Sequence, residues 1–331
     1  PASAYLSRTF GSAGNRKTWT FSGWYRRVLP YSNGGVLVES LFGIELAADN
    51  TQAASIRIQS DSLTVAASDI FFRRTSALLR DVSAWFHVHV VFDSTNATAA
   101  DRCRVYINGV RITSFANASD PALNTDYAIG QAGTYNIGRY PDGNWYSNSS
   151  AAFIAFVDGS AVEPSSFGLS HPVTGQWRPK TKAQVKAVVD AGGANSFFLP
   201  FDNTTSTTTL CADASAKGND WTANNISLTA GATYDSLTDS PTNVYPTFNA
   251  LRVGANITIS NGALTAAKPS ESAWRSVLST IFPATGKWYC EFTVSAFGGT
   301  ENYLVFGVAQ QTFDVENYLG DAAGSSGVQW S

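Results

Sequence analysis

From Ala4 to about Val157, apolar residues recur at alternate positions in short runs, and clusters of Gly, Asn, Asp and Ser break the runs about every ten residues. That rhythm predicts the strands of an antiparallel sandwich or jelly roll, because strand side chains alternate between two faces and the interrupting residues build turns. Trp19 to Tyr25 is the first clear strand, with Trp19, Phe21 and Gly23 alternating with Thr20 and Ser22. Gly34-Gly35 marks a turn before Val36 to Leu46, and Ser55 to Ile58 with Ser62 to Ala66 predicts a hairpin around Ser60-Asp61. In Trp85 to Phe92, Phe86, Val88, Val90 and Phe92 share a core face, while Trp85, His87, His89 and Val91 share the opposite, less buried one. Arg102 to Ile107 and Val110 to Phe115 flank Asn108-Gly109, a dipeptide suited to a tight hairpin turn. Tyr135 to Gly138 and Phe153 to Val157 supply later strands, and Asp158-Gly159 another turn.

The pattern then changes. Val185, Val188 and Val189 fall at helical spacing within Lys180 to Gly192, with Thr181 to cap the start and Gly192 the end, so a short helix is expected on the edge of the sandwich. Asn195 to Phe201 reads as a strand returning to the first domain. Asp202 to Asn249 is rich in Thr, Ser, Asn and Gly, contains Pro241 and Pro246, and predicts a long surface excursion or linker. Beyond it, Ile257 to Ile259 and Ala263 to Ala266 flank Asn261-Gly262 as a hairpin, and Lys287 to Val294 and Tyr303 to Ala309 alternate as strands. The expected organisation is an all-β chain: a jelly-roll domain over 1–201, an extended Thr/Ser/Asn-rich linker over 202–247, and a second, partial β-sandwich over 248–331. More sequence is expected downstream, since this last stretch is too short to complete a sandwich. The chain contains no Met and begins at Pro1, so the initiator is expected to have been removed or to lie upstream.

Composition narrows the function. A length of 331 residues suits two cores. Charged residues make up only 14% of the chain, which leaves a surface of hydroxyls and amides. Net charge is −3 and the basic residues are scattered, in pairs such as Arg26-Arg27 and Arg73-Arg74, so no electrostatic footprint for nucleic acid is present. Cys103, Cys211 and Cys290 are far apart, which argues against a zinc site and a disulfide framework and predicts free, mostly buried thiols. No apolar run is long enough for a membrane-spanning helix, and no export signal is recognised at the start.

Three segments together resemble the laminin-G-like, concanavalin A-like domain: Trp85-Phe86-His87-Val88-His89-Val90-Val91-Phe92-Asp93, then Arg104-Val105-Tyr106-Ile107-Asn108-Gly109-Val110, then Tyr135-Asn136-Ile137-Gly138-Arg139. The opening Ala4 to Thr9, Lys17 to Trp24 and the segment Phe153 to Phe167 are similar to the version found in tailed-bacteriophage virion proteins. Gly286 to Phe292 and Val305 to Ala309 resemble the start of a SPRY domain, another concanavalin-type sandwich. The resemblance implies a concanavalin A-like jelly roll that serves in a fibre, tail, appendage or capsid decoration.

The candidate chemistry is contact rather than turnover. A glycosidase on this fold needs two carboxylates about 5–5.5 Å apart or wider, and Glu39, Glu45, Glu291 and Glu301 show no such pairing on a strand. His87 and His89 share a strand face but lack a third zinc ligand in view, and are expected to pack beside Trp85. The resemblance implies a calcium ion at a rim of loops, for which Asp142, Asn144 and Asp158 are the candidates; Asp and Asn are also the residues that turns favour. Tyr140, Trp145 and Tyr146, with Asn148 alongside, offer an aromatic platform for a sugar, and equally a cover for the sandwich edge or a subunit contact. The reading is a non-enzymatic virion surface or appendage protein, assembled in the host cytoplasm and exposed outside it. Its expected partners are itself, as a homo-oligomer, and other virion proteins. The alternative is an adhesin that binds host-surface glycan with the help of calcium.

Overall fold

The structure is a computed structural model that describes residues 3–31, 34–35, 37–45, 54–67, 70–140, 143–229, 234–268, 273–296, 304–320 and 325–330. The chain divides into two compact units, Pro1–Val244 and Tyr245–Ser331. In the first unit the strands follow in order as Tyr5–Phe10 (β1), Thr18–Arg27 (β2), Val38–Glu45 (β3), Ala54–Gln59 (β4), Ser62–Ala67 (β5), Ile70–Leu78 (β6), Phe86–Asp93 (β7), Cys103–Ile107 (β8), Val110–Arg111 (β9), Phe115–Ala118 (β10), Gly133–Ile137 (β11), Ser149–Asp158 (β12), Gly168–Ser170 (β13), Trp177–Pro179 (β14), Phe197–Leu199 (β15) and Thr222–Asn224 (β16). They form two antiparallel sheets, with β10-β6-β5-β4-β3-β11-β1-β16 in sheet one and β15-β12-β2-β7-β8-β9 in sheet two, and a small β13-β14 hairpin. This is an all-β jelly-roll sandwich of antiparallel sheets.

Alternation decides what lies between the sheets. Phe21, Phe42, Tyr135, Phe156 and Phe197 turn inward from five strands, and the Phe42 ring lies 5.3–6.0 Å from the rings of the other four. Aromatic pairs at such distances add about 0.5–1.5 kcal/mol each beyond the area they bury. The two-residue turns take the conformations their residues favour: Ser60 and Asp61 have φ of 47° and 67°, and Asn108 and Gly109 have φ of 51° and 76°. Gly109 also lets the Trp177 indole approach, since a Cβ there would meet the ring at 2.7 Å.

Several expectations change in three dimensions. Val110 to Phe115 is not one strand: β9 ends at Arg111, and β10 crosses to sheet one to pair with β6. The helix, Lys182–Asp190 (α1), starts at a capping box between Thr181 and Gln184, but its C-cap is Ala191. It lies on the outer face of sheet two rather than at an edge, with Val185 and Val189 packed on Ala155, Val157, Phe167 and Phe198. That layer, the β13-β14 hairpin and the Ser160–Val162 segment bury the face that the alternation of β7 marks as the less buried one.

The stretch expected as an extended linker is in good part structural. Within it a short helix, Thr207–Leu210 (α2), leads to Leu210 and Cys211, which join Trp221 in the main core, and β16 adds to sheet one beside β1. The Trp221 ring stands 4.9 Å from Phe197. Three apolar side chains in a hydroxyl-rich stretch are enough to close the open end of a sandwich, although they are too few to show as periodicity. Further on, Asp239 accepts from Arg26 Nη1 (2.6 Å) and Trp85 Nε1 (2.8 Å).

In the second unit, Phe248–Val253 (β17) pairs with Val277–Ser279 (β20), Thr258–Ser260 (β18) with Thr265–Ala267 (β19), and Leu304–Ala309 (β21) with Ser325–Trp330 (β22). Ala263, Leu278 and Phe313 are its buried apolar residues among those described. Lys287 to Val294, expected as a strand, joins no ladder among the described residues and is exposed, with Trp288 at 67% and Tyr289 at 82%. An alternating pattern makes a strand only where a neighbour offers a free edge. Cys290 is exposed with it, whereas Cys103 and Cys211 are buried.

Candidate functional site

The connection from β11 to β12 folds into a hairpin that carries all four residues of the expected sugar platform. Gly138, at φ 84°, leaves sheet one; its N–H donates to Ser40 O (3.1 Å), which also accepts from Ser147 Oγ (2.7 Å). Within the hairpin, Arg139 bridges Tyr146, and the Tyr140 N–H donates to Trp145 O at 2.7 Å. Gly143, at φ 81°, makes the reversal possible: a side chain there would be strained, and its Cβ would stand 2.4 Å from Arg139 Nη2.

The rings are held from below. The Arg57 guanidinium lies over the Tyr140 ring at 5.2 Å, and its Nη1 donates to Ser55 Oγ (2.7 Å) and at long range to Tyr140 Oη (3.4 Å). Arg139 lies over Tyr5 at 4.9 Å, and Tyr5 in turn is tilted against Tyr146 at 6.0 Å. Each cation on a ring contributes about 0.5–2 kcal/mol. Tyr140 and Tyr146 are therefore half-buried and fixed, while Trp145 is 36% exposed and Asn144 and Asn148 face solvent. The backbone carbonyl of Asn148 accepts from Val28 N at 3.1 Å, which anchors the hairpin to the end of β2.

The expected calcium ligands do not come together. Asp142 lies outside the described residues, Asn144 is on the exposed hairpin, and Asp158 is at the opposite end of β12, about 30 Å of strand away. Asp158 is 4% exposed and serves the fold, since Oδ1 accepts from Asn15 N at 2.6 Å beside the Gly159 turn. Among the described residues no group of three His, Cys, Asp or Glu could hold a metal ion. Asn144 and Asp158 stand too far apart to share one calcium ion.

The remaining candidates are structural in position. His87 and His89 are fully buried, and His87 stacks between Trp24 and Trp177 rather than beside Trp85. Trp177 Nε1 donates to His87 Nδ1 (3.1 Å), so Nε2 carries the proton and donates to Ser22 Oγ (2.7 Å); His89 Nε2 donates to Val162 O (2.8 Å). Burial holds both rings neutral: His87 titrates well below the usual imidazole range, with His89 adding to the effect. His89 is pulled down to about 4 by burial, against the Val162 hydrogen bond and with a small push from Arg104. Glu39 is fully buried, receives both Arg27 Nε (2.8 Å) and Nη2 (2.5 Å) and accepts from Ser149 Oγ. Arg27 Nη1 bonds Asp61 at 2.7 Å, and Asp61 receives Arg80 as well. Removing one member of such a buried network costs about 3–5 kcal/mol.

Sequence reasoning did not find Arg57, Arg139, Ser40 or Asn136. The signal for Arg57 was present: in Ser55-Ile56-Arg57-Ile58-Gln59 a cation sits in mid-strand opposite the isoleucines, on the face that the core does not use.

No family model matches the chain, and no curated protein sequence matches it. Solved structures similar to it include a native heptameric SAP-like pentraxin from Limulus polyphemus, at 16% identity and TM-score 0.34 over 58% of this chain and 78% of that one. Domains LG4-5 of the mouse laminin alpha1 chain give 12% and 0.32 over 49% and 43%. The CBM40 of a Ruminococcus gnavus IT-sialidase, solved with alpha2,3 sialyllactose, gives 10% and 0.31 over 44% and 82%. Likeness of this degree carries no argument about ligand or role, and the fold assignment rests on the two sheets themselves.

Proposed function

We propose that this chain is a non-catalytic binding protein whose first unit takes up glycan at the Gly138–Ser147 hairpin. The observation that carries the reading is the exposed Trp145 indole, carried on a hairpin whose Tyr140 and Tyr146 rings Arg57 and Tyr5 already hold in place. A sugar stacks its C–H face on such a ring at small entropic cost, because the platform is ordered beforehand, and the exposed Asn148 lies on the same connection to offer its amide to hydroxyls. In this reading no bond is broken, and Glu39, tied to Arg27 and Ser149, is a framework residue.

The module belongs, in this proposal, to a virion surface or appendage protein that assembles with itself and with other virion proteins. What supports this is the motif resemblance over Trp85 to Arg139 and the SPRY-like segments Gly286 to Phe292 and Val305 to Ala309. Light scattering of the native chain should then give the mass of an oligomer. The glycan reading is tested on an oligosaccharide array with the wild type and Trp145→Ala, each with and without chelator. Wild-type binding, at least about ten-fold weaker in Trp145→Ala and unchanged by chelator, is the expected result, because stacked aromatics carry an outsized share of contact energy. An array on which the folded wild type binds nothing overturns the proposal.

A further inference from the structure

In the second unit, the exposed run Lys287 to Val294 has the alternation of a strand and no strand beside it. Tyr289 Oη donates to Glu291 Oε1, as side chains two residues apart do on one face of an extended chain, which leaves Trp288, Cys290 and Phe292 to the other face. Phe292 stacks on Phe306 of β21, with the ring centroids 4.4 Å apart. Trp288 Nε1 donates to Thr285 O at 2.7 Å, yet the residue stays 67% exposed, and Cys290 is a free, exposed thiol. Among the described residues, no backbone group of Lys287 to Val294 bonds to another backbone group.

Exposed apolar side chains beside open backbone donors and acceptors form a template for another strand. The residues themselves select which strand fits. In an antiparallel pair related by a two-fold axis, positions equally spaced about the axis stand opposite each other. With the axis at Tyr289, Lys287 of each copy faces Glu291 of the other, Trp288 faces Cys290, and Phe292 faces Gly286. Opposite charges therefore meet twice, and each large ring meets a small residue. Moving the axis by one residue loses this match: at Trp288 it sets Glu291 against Thr285, and at Cys290 it sets Lys287 against Thr293 and the Trp288 and Phe292 rings against each other. Neither Lys287 nor Glu291 makes an ion pair among the described residues.

We infer that the segment around Tyr289 pairs antiparallel with the same segment of a second copy of this chain, about a two-fold axis at Tyr289. The inference rests on the proposal that the chain assembles with itself, and it names the surface through which two copies meet. Pairing gives the open backbone groups their partners and covers the Trp288 face, while the two Lys287–Glu291 contacts fix the register, since like charges set directly opposite each other are unfavourable.

The test follows self-association of the full chain by sedimentation over a range of concentrations. Lys287→Glu and Glu291→Lys should each weaken it about five-fold or more, because every change is made twice across the axis, and the two substitutions together should restore it. These side chains are exposed, so the fold is not at stake. The register is read separately in a Cys290→Ser background oxidised with diamide, which takes up the two electrons of disulfide formation. Tyr289→Cys should link two copies, whereas Thr293→Cys should not, since its two sulfurs lie about 27 Å apart along the ladder. An oligomer that Lys287→Glu leaves at wild-type strength, or in which Tyr289→Cys does not link, overturns the inference and leaves self-assembly standing. A monomeric wild type removes the self-assembly reading and the inference with it, and a Cys290 that resists maleimide in that monomer assigns the cover of the segment to the chain itself.

Discussion

On the outer face of sheet two, His87, His89, Ser22 and Thr20 lie beneath Trp177, α1 and the Ser160–Val162 segment, and their polar atoms are bonded apart from His89 Nδ1. On the outer face of sheet one, Ser40, Arg57 and Asn136 are buried and Arg74 is half-buried, yet Ser40 Oγ, Asn136 Oδ1 and Arg74 Nε have no partner among the described residues. Both faces put polar side chains on a strand surface turned away from the core. The first is roofed by segments of the chain that bring matching donors and acceptors, so its polar groups serve stability. The second holds Arg57 through Ser55 and Gln59 but leaves Ser40 Oγ, Asn136 Oδ1 and Arg74 Nε unmatched among the described residues, so its polar groups are less fully used for stability.

Three experiments sharpen or break this contrast. The largest effect is expected from Trp177→Ala, which strips the roof of sheet two and leaves His87 Nδ1 without its donor. Unfolding in denaturant should show a loss of about 4 kcal/mol. A loss below about 1 kcal/mol would mean that the roof is not what holds this face.

Next comes acid. His89 is neutral in the fold, with a pKa of about 4, while the unfolded chain takes up a proton below the ordinary value of 6.5. The unfolded state binds more protons between those limits, so stability is complete above about pH 6.5 and falls as the pH drops toward 4. His89 alone accounts for up to about 3 kcal/mol, and His87 acts in the same direction. Melting temperature followed from pH 7 to 4 in the wild type and in His89→Gln checks this, since the variant should lose part of the slope.

The smallest effect discriminates best, because one chemical change is made on both faces. Ser22→Ala removes the acceptor of the His87 Nε2 proton and should cost about 1–2 kcal/mol. Ser40→Ala removes a hydroxyl that has no partner and should leave stability within about 0.5 kcal/mol of wild type. Equal losses at the two sites would erase the distinction between a satisfied and an unsatisfied face.

Much of the first unit was legible. Turn residues at Ser60-Asp61 and Asn108-Gly109 stand at positive φ in hairpins, and Thr181 caps α1. These are local events, governed by the backbone preferences of two to four adjacent residues. The hairpin with Tyr140, Trp145 and Tyr146 could be picked out by its aromatic density. Which of those rings would be free could not, because Arg57 reaches Tyr140 from 83 residues away. Asp158 illustrates the opposite case: beside a glycine it reads equally as a turn or a ligand, and only its bond to Asn15 places it in the framework.

The sequence by itself determined the all-β character of the chain, the period-two faces of its strands, its tight turns and the start of its helix, because each depends on steric and solvation preferences that act over a few residues. Tertiary structure alone decided that β10 would leave its hairpin for the other sheet and that Trp221 would plug the core from a stretch resembling a linker. It also decided that the outer face of sheet two would be roofed while Ser40 Oγ, Asn136 Oδ1 and Arg74 Nε on sheet one stayed without partners among the described residues. Those outcomes depend on which distant edge or face is available to cover another, and alternation along a strand records a face without recording what will lie upon it.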